Sequence, residues 1–296
     1  MKTYKTQFYL PLVLLSFFFL FSLTLRGQEK RYSAERITGK PPLIDGLPDD
    51  QAWEKAAWEG NFTQREPNEG EKPSQKTAFK VLYNDAFLFV AIKAYDSTPE
   101  KIDNRVARRD NLTGDLLGFD IDSYNDKRTA FSFIVSAAGV KSDRIIYNDG
   151  DEEDANWNPV WYVETAVTRD GWIAEFKIPF NQLRFDKARM QSWGFQVGRF
   201  LFRKEEFMYW KHIPLKNSGW VSQFGTLTGL ENIDPERQVE LSPYVVSKVE
   251  RFQADKANPF TNGKEWHNKV GLDGKVGITN DFTLDFAINP DFGQVE

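Results

Sequence analysis

The 296-residue sequence contains no cysteine and only two histidines, His212 and His267. The first absence removes disulfides, thiolate nucleophiles and cysteine-ligated zinc. The second removes any multi-histidine metal centre built from this chain alone. There is no basic excess either. Lys and Arg number 38 against 43 Asp and Glu, a net charge of −5, which argues against a nucleic-acid partner. Glycine-rich phosphate loops are missing, and neither histidine shares an arrangement with Ser and Asp that would mark a nucleophilic triad. A carboxylate pair for glycoside hydrolysis follows no spacing rule, so that chemistry stays open beside simple binding. What is abundant is aromatic: 25 Phe, 10 Tyr and 9 Trp. Rings in that number must be buried or displayed to something flat.

One long apolar run exists. Lys2 and Lys5 precede Phe8 to Leu25, interrupted by Pro11, Ser16, Ser22 and Thr24, and Arg26-Gly27-Gln28 follow. A basic start, an apolar stretch and a small residue before a polar segment read as a secretory signal over residues 1–27. The competing reading is a membrane anchor, since the run is close to the shortest spanning helix. Cleavage after Gly27 would take the charge from −5 to −8, because the leader holds three basic and no acidic residues. Export without cysteine fits a bacterial envelope or extracellular protein better than a small disulfide-stapled one.

From residue 30 onward the pattern alternates. Phe79, Val81 and Tyr83 share one face of a short strand. Phe87 to Tyr95 is apolar on both faces except at Lys93, as befits a strand inside a sandwich. Leu117, Phe119 and Ile121 alternate with Gly118, Asp120 and Asp122, and Phe131, Phe133 and Val135 repeat the rhythm. Trp172, Ala174, Phe176, Ile178 and Phe180 form another such series, and Phe195 to Phe202 is again apolar on both sides. Turn signals separate these runs: Asn84-Asp85, Ala138-Gly139, Asn148-Asp149-Gly150 and Asp170-Gly171. The pattern predicts an all-β, jelly-roll-like antiparallel sandwich over residues 28–233. Short helical pieces are expected at Asp49–Lys55, capped by Asp49 or Asp50, and at Asn181–Leu183.

The texture changes after the polar joint Glu231 to Arg237. Val270, Leu272, Val276 and Ile278 alternate with Gly271, Asp273, Lys275 and Gly277. After a turn at Asn280-Asp281, Phe282, Leu284, Phe286 and Ile288 alternate with Thr283, Asp285, Ala287 and Asn289. Residues 240–250 make a weaker third candidate. Apolar-out, polar-in segments of about ten residues suit either a transmembrane barrel or a small soluble hairpin sheet. A membrane barrel needs about eight strands or more. Residues 234–296 are therefore expected to be a linker and the first hairpins of an incomplete barrel, with open edges and one uncovered apolar face.

Two loop features carry candidate chemistry. Asp149, Asp151 and Asp154 lie in the acidic run 149–154, and oxygen-rich loops can hold Ca²⁺. The competing reading is a solvated loop. Trp157, Trp161, Trp210 and Trp220 fall in or beside loops. Flat indoles pack against the C–H faces of sugar rings while polar side chains bond the hydroxyl rim, so these four are the candidate carbohydrate platform. Equally, such rings can close the ends of a core. Trp53, Trp58 and Trp172 occupy patterned core positions.

Several of these segments together resemble carbohydrate-binding module family 9. They are Pro42 to Gly46, Asp49 to Trp53, Asp120 to Arg128, Phe131 to Val140, Asp170 to Glu175, Ile178-Pro179-Phe180, Leu183-Arg184-Phe185, Trp193-Gly194, Arg199 and Gly219 to Leu230. The resemblance implies a β-sandwich that binds xylan- or cellulose-like chains, often beside glycoside hydrolases, with calcium in some members. In sugar-binding members a Trp precedes the strand carrying Asp-x-Val-Glu, and the Glu bonds the sugar. Aligned on Asp115–Asp122, Leu112 falls near that Trp position and Gly118 at the Glu position, so Trp220, or failing it Trp210, would supply the remaining half of the clamp. The tail is similar to an uncharacterised domain of Gram-negative envelope proteins, thought to form an outer-membrane barrel. The expected function is a non-catalytic glycan-binding module of an exported outer-membrane protein. The alternatives are a plug or docking domain without sugar binding, and a glycoside hydrolase.

Overall fold

The computed structural model describes residues 29–234, 239–253, 263–278 and 282–290. The expected signal segment and the turn at Asn280-Asp281 lie outside the described residues. Two sheets face each other. The first is built from β1 (Arg31–Ser33), β3 (Thr63–Glu66), β6 (Leu116–Asp122), β7 (Ala130–Ser136), β8 (Lys141–Tyr147), β9 (Glu152–Asp154), β12 (Met190–Leu201), β13 (Glu206–Tyr209) and β14 (Gly225–Glu231). Its order is β1-β14-β12-β6-β7-β8-β9, with β13 also pairing β12 and β3 pairing β13. The second contains β2 (Glu35–Arg36), β4 (Thr77–Tyr83), β5 (Phe87–Tyr95), β10 (Tyr162–Thr168) and β11 (Gly171–Pro179), ordered β10-β11-β5-β4-β2. Pairing is antiparallel except at two edges, where β1 runs parallel to β14 and β2 parallel to β4. A single residue, Ala34, separates β1 from β2, so the start of the chain joins both sheets.

The inward positions fill the core with rings. Phe119 meets Phe176 edge-on across the sheets at 5.2 Å, and Phe79 meets Phe195 at 5.7 Å. β5 is apolar on both faces because both faces are covered. Leu88, Val90 and Ile92 join the main core, while Phe89 and Ala91 lie under the segment carrying Ile37, Trp53 and Ala56. Glu175 pins that segment: Oε2 accepts the Asp45 and Gly46 N–H at 3.1 and 2.8 Å, and Oε1 accepts Trp53 Nε1 at 2.8 Å. Burial raises the Glu175 carboxyl above its ordinary value, and these three bonds pull against the rise.

Both expected helical pieces form as single 3-10 turns, Gln51–Lys55 and Phe180–Gln182. Asp50 does precede the first, but its Oδ2 accepts the Leu43 N–H at 2.8 Å instead of capping the turn. Trp53 and Trp172 are buried core residues as expected. Trp58 is not: it is 41% exposed, with Lys80 Nζ 4.5 Å over its ring.

A cation lies between the sheets. Arg199 of β12 is turned inward and 1% exposed. Its Nη1 donates to Lys76 O at 3.2 Å and Tyr95 O at 2.9 Å on the opposite sheet, and its Nη2 lies 3.6 Å from Asp96. Burial lowers its pKa to about 10, against the pull of Asp115 and Asp96, so it stays charged at neutral pH. Arg203 doubles the contact to Asp96 at 2.7 and 2.8 Å.

β15 (Val239–Arg251), β16 (Lys264–Gly277) and β17 (Thr283–Ile288) form a separate open antiparallel sheet, in the order β15-β16-β17. Because side chains alternate along a strand, the register collects Val239, Leu241, Pro243, Val245 and Val249 with Trp266, Val270, Leu272 and Val276, and with Leu284, Phe286 and Ile288, on one face. Glu240, Ser242, Lys248, Glu250, Asp273, Lys275, Thr283 and Asp285 share the other. Val239, Leu241, Val245, Trp266, Val270 and Ile288 are exposed. Among the described residues the outer edges of β15 and β17 have no strand partner.

Replacing Arg199 with Met should cost about 3–5 kcal/mol, because Asp96 and Asp115 would keep their burial with Arg203 as the one cation left beside them; urea unfolding of the purified protein measures it. A pH prediction follows from Asp122, which burial pushes up to about 6 against the bonds from the Lys127 and Asp126 N–H. The folded chain holds that proton more tightly than the unfolded one. Its contribution is therefore full below about pH 4 and lost as the pH rises through about 6. In urea midpoints across that window, the Asp122→Asn variant should lack this fall.

Candidate functional site

The outward positions of the first sheet build a groove of about 520 Å³. Gly118 of β6 and Gly198 of β12 are register partners, and both face outward. Two adjacent glycines leave a floor with no side chains of its own. Ile134 leans over Gly118 and the Tyr209 ring over Gly198, where an added Cβ would come within 2.8 Å of Tyr209 Cε1. Phe200 and Phe207 stack at 4.3 Å along one wall, and Leu112 also lines the groove. Trp220 forms another wall. Arg65, Asp120, Arg144 and Glu153 supply polar groups, with Arg144 paired to Glu153.

Trp220 is held from three sides. Its Nε1 donates to Asp120 Oδ2 at 3.0 Å, its ring meets Tyr209 edge-on at 5.0 Å, and the Arg65 guanidinium lies 5.1 Å over it. A further hold is on the backbone. The Trp220 N–H donates to Asp149, with O at 2.7 Å and Oδ1 at 3.0 Å. Ser222 donates from its N–H to Oδ1 and from its hydroxyl to Oδ2, both at 2.7 Å. Gly219 and Gly150 flank this contact at φ +95° and +106°, a conformation other residues adopt at a cost. A Cβ on Gly150 would also stand 2.6 Å from Trp220 Cβ. Burial raises the Asp120 carboxyl, opposed by its bonds from Ser132 and Trp220, and burial with the Asp120 charge pushes Tyr209 up to about 12. Aromatic walls with carboxylate, guanidinium and phenol groups around them can take a flat, hydroxyl-rich ring.

The four candidate tryptophans do not share a face. Trp161 is 2% exposed: its Nε1 donates to Asp143 at 2.9 Å and its ring stacks on Phe176. Trp210 is fully buried, bonded to Glu59 at 3.1 Å and set edge-on to Phe79. Both close the core, each with its indole N–H bonded to a carboxylate, and neither presents a ring to a ligand. Trp157 packs on Phe131 and Phe133, the core side of β7, away from the groove. Trp220 alone of the four reaches it. The calcium reading of the acidic loop also changes. Asp149 spends its carboxylate on Trp220 and Ser222, Asp154 accepts the Asn156 N–H at 2.9 Å, and Asp151 is exposed. Among the described residues these three do not converge on a common point. The group close enough to share an ion among the described residues is Glu250, Glu265 and His267, all exposed. Arg65, Arg144 and Tyr209 escaped the sequence reading. Asp120 was visible only as a polar member of an alternating strand.

These features define a two-sheet β-sandwich with an aromatic-walled groove on an outer face. The chain belongs to the carbohydrate family 9 binding domain-like family, whose model matches residues 44–228. Residues 235–296 match a second model, described as a domain of unknown function (DUF5916). Among solved structures, the chain is similar to a carbohydrate binding module family 9 from Caldicellulosiruptor kristjanssonii in complex with glucose. Identity is 17% and the TM-score 0.50, covering 70% of this chain and 100% of that one. The cellotriose complex of a family 9 module from the same organism gives 18% identity and a TM-score of 0.48, covering 67% and 93%. A candidate carbohydrate-binding protein from Bacteroides uniformis ATCC 8492 gives 13% and 0.54, covering 68% and 99%. No curated protein matches the chain.

Asp149→Ala removes the carboxylate that accepts the Ser222 N–H and hydroxyl, each worth about 1–3 kcal/mol when left unpaired, and leaves the Trp220 N–H its bond to the backbone oxygen of residue 149. Hydrogen exchange should show lost protection at the Ser222 amide while the Trp220 amide and β6, β7 and β12 keep theirs.

Proposed function

We propose that the groove on the first sheet binds a glycan, with Trp220 as the platform for one sugar ring and Asp120, Arg65, Arg144 and Tyr209 at its hydroxyl rim. The observation that carries this reading is Trp220 itself. An indole that could have been packed inward is instead fixed at the groove wall by Asp120 and Asp149. Family membership and the glucose bound to a related module support the same reading. Leu112 and Gly118 stand where the family pattern suggests a Trp and a Glu, so the clamp here is one-sided. One indole stacked on a ring contributes about 1–3 kcal/mol, which favours weak binding to a chain over tight capture of a single sugar.

We further propose that the protein is exported and that β15–β17 belong to an outer-membrane barrel. Twelve apolar side chains on one face and charged ones on the other are the alternation such barrels require. From Val239 to Val249 the apolar stripe, interrupted by the Ser247–Asn268 pair, runs about 34 Å, or about 26 Å along the membrane normal at a usual tilt, close to the height of a barrel's lipid-facing band.

Titration calorimetry with cello- and xylo-oligosaccharides, and retention on the insoluble polysaccharides, test the first proposal. Trp220→Ala should lower affinity at least about tenfold, the loss of one stacked ring. Trp157→Ala should leave affinity unchanged. Absence of binding to any glycan would favour the docking-domain reading, and turnover of an aryl glycoside would favour a hydrolase.

A further inference from the structure

We propose that the sandwich lies on the periplasmic side of the outer membrane, over the inner mouth of the barrel to which β15–β17 contribute. This rests on the membrane reading above and adds a sidedness to it.

The open sheet has two distinguishable ends. At one end Val239 pairs with Val276 and Gly277 with Thr283, so the chain arriving from the sandwich and the β16–β17 connection lie together. That connection is five residues, 278–282. At the other end Arg251 pairs with Lys264, and the connection is twelve residues, 252–263. Outer-membrane barrels turn tightly in the periplasm and carry their longer loops outside. The sandwich is therefore attached at the short-turn end.

Side-chain contacts give the same direction independently. Arg184 Nη2 donates to Thr283 Oγ1 at 2.6 Å, and Gln182 Nε2 donates to Glu240 Oε1 at 2.9 Å. Both donors come from the segment after β11. Both acceptors lie at the short-turn end, and both belong to the polar face of the sheet. In a membrane barrel that face turns to the lumen. The sandwich thus meets the rim from the lumenal side and leaves the apolar face free for lipid. A glycan held in the groove is then one already inside the outer membrane.

These 296 residues hold no cysteine, so once any cysteine elsewhere in the full-length protein is replaced by serine the background is clean for thiol labelling. Two single-cysteine variants of the full-length protein are made, Gln253→Cys at the long-connection end and Lys72→Cys on the sandwich, both at exposed positions. Intact Gram-negative cells are treated with a polyethylene-glycol maleimide too large to pass porins. The expected result is modification of Q253C in intact cells, and of K72C only after the outer membrane is permeabilised, with both reacting fully when denatured. Modification of K72C in intact cells, or protection of Q253C there while the protein fractionates with the outer membrane, overturns the sidedness alone. Recovery of the protein in a soluble periplasmic pool overturns the membrane reading and the sidedness with it, and leaves the sugar-binding reading untouched.

Discussion

The sandwich depends on one buried cation. Arg199 reaches from the first sheet to two carbonyl oxygens of the second, with Asp96 and Asp115 supplying the countercharge. Nonpolar rings attract without direction, and two aromatic sheets could slide past one another with little change in buried area. A guanidinium with fixed acceptors cannot slide. Its neighbours on β12, Gly198 and Phe200, face the opposite way and contribute to the floor and wall of the groove. The same strand thus locks the two sheets through one residue and shapes the binding surface through the residues on either side of it.

The groove is assembled the same way, from parts whose first task is structural. Asp149 belongs to a loop on one side of the sheet and Trp220 to a loop on another, 71 residues apart in sequence. The carboxylate that holds the indole's backbone and the carboxylate that holds its ring nitrogen come from different elements. Position of the ring therefore reports the packing of β6, of the loop after β8 and of the turn before β14 together.

Alternation made the strands legible, since period two survives wherever one face is buried. Phe119, Phe133, Phe176 and Phe195 all fall where that pattern puts them. The resemblance rested on residues such as Trp53 and Glu175, and their bond shows what they do: they hold a segment over the second sheet's outer face. The site was harder to read for a physical reason. Whether an indole points in or out depends on which carboxylate meets its N–H, and Trp161 and Trp210 meet theirs with the ring in the core, at Asp143 and at the half-buried Glu59. Nothing local distinguishes them from Trp220. An acidic run likewise carries no mark of what its oxygens will bond. Asp149 serves backbone amides that only the folded chain brings near. Arg65 had no signal at all, because an arginine on a short strand looks like any solvated one.

The two parallel edges have a temporal meaning. β1, the first described strand, hydrogen-bonds to β14, the last strand of the sandwich, and the residues just after β1 cross to β2 on the other sheet. A chain emerging from a ribosome or a pore with its N-terminus first must release nearly two hundred further residues before Arg31 to Ser33 can find their neighbour. Closing so long a loop is entropically unfavourable until the other strands have gathered. The pairing that closes last in this fold is thus the one between its first described strand and the last strand of the sandwich.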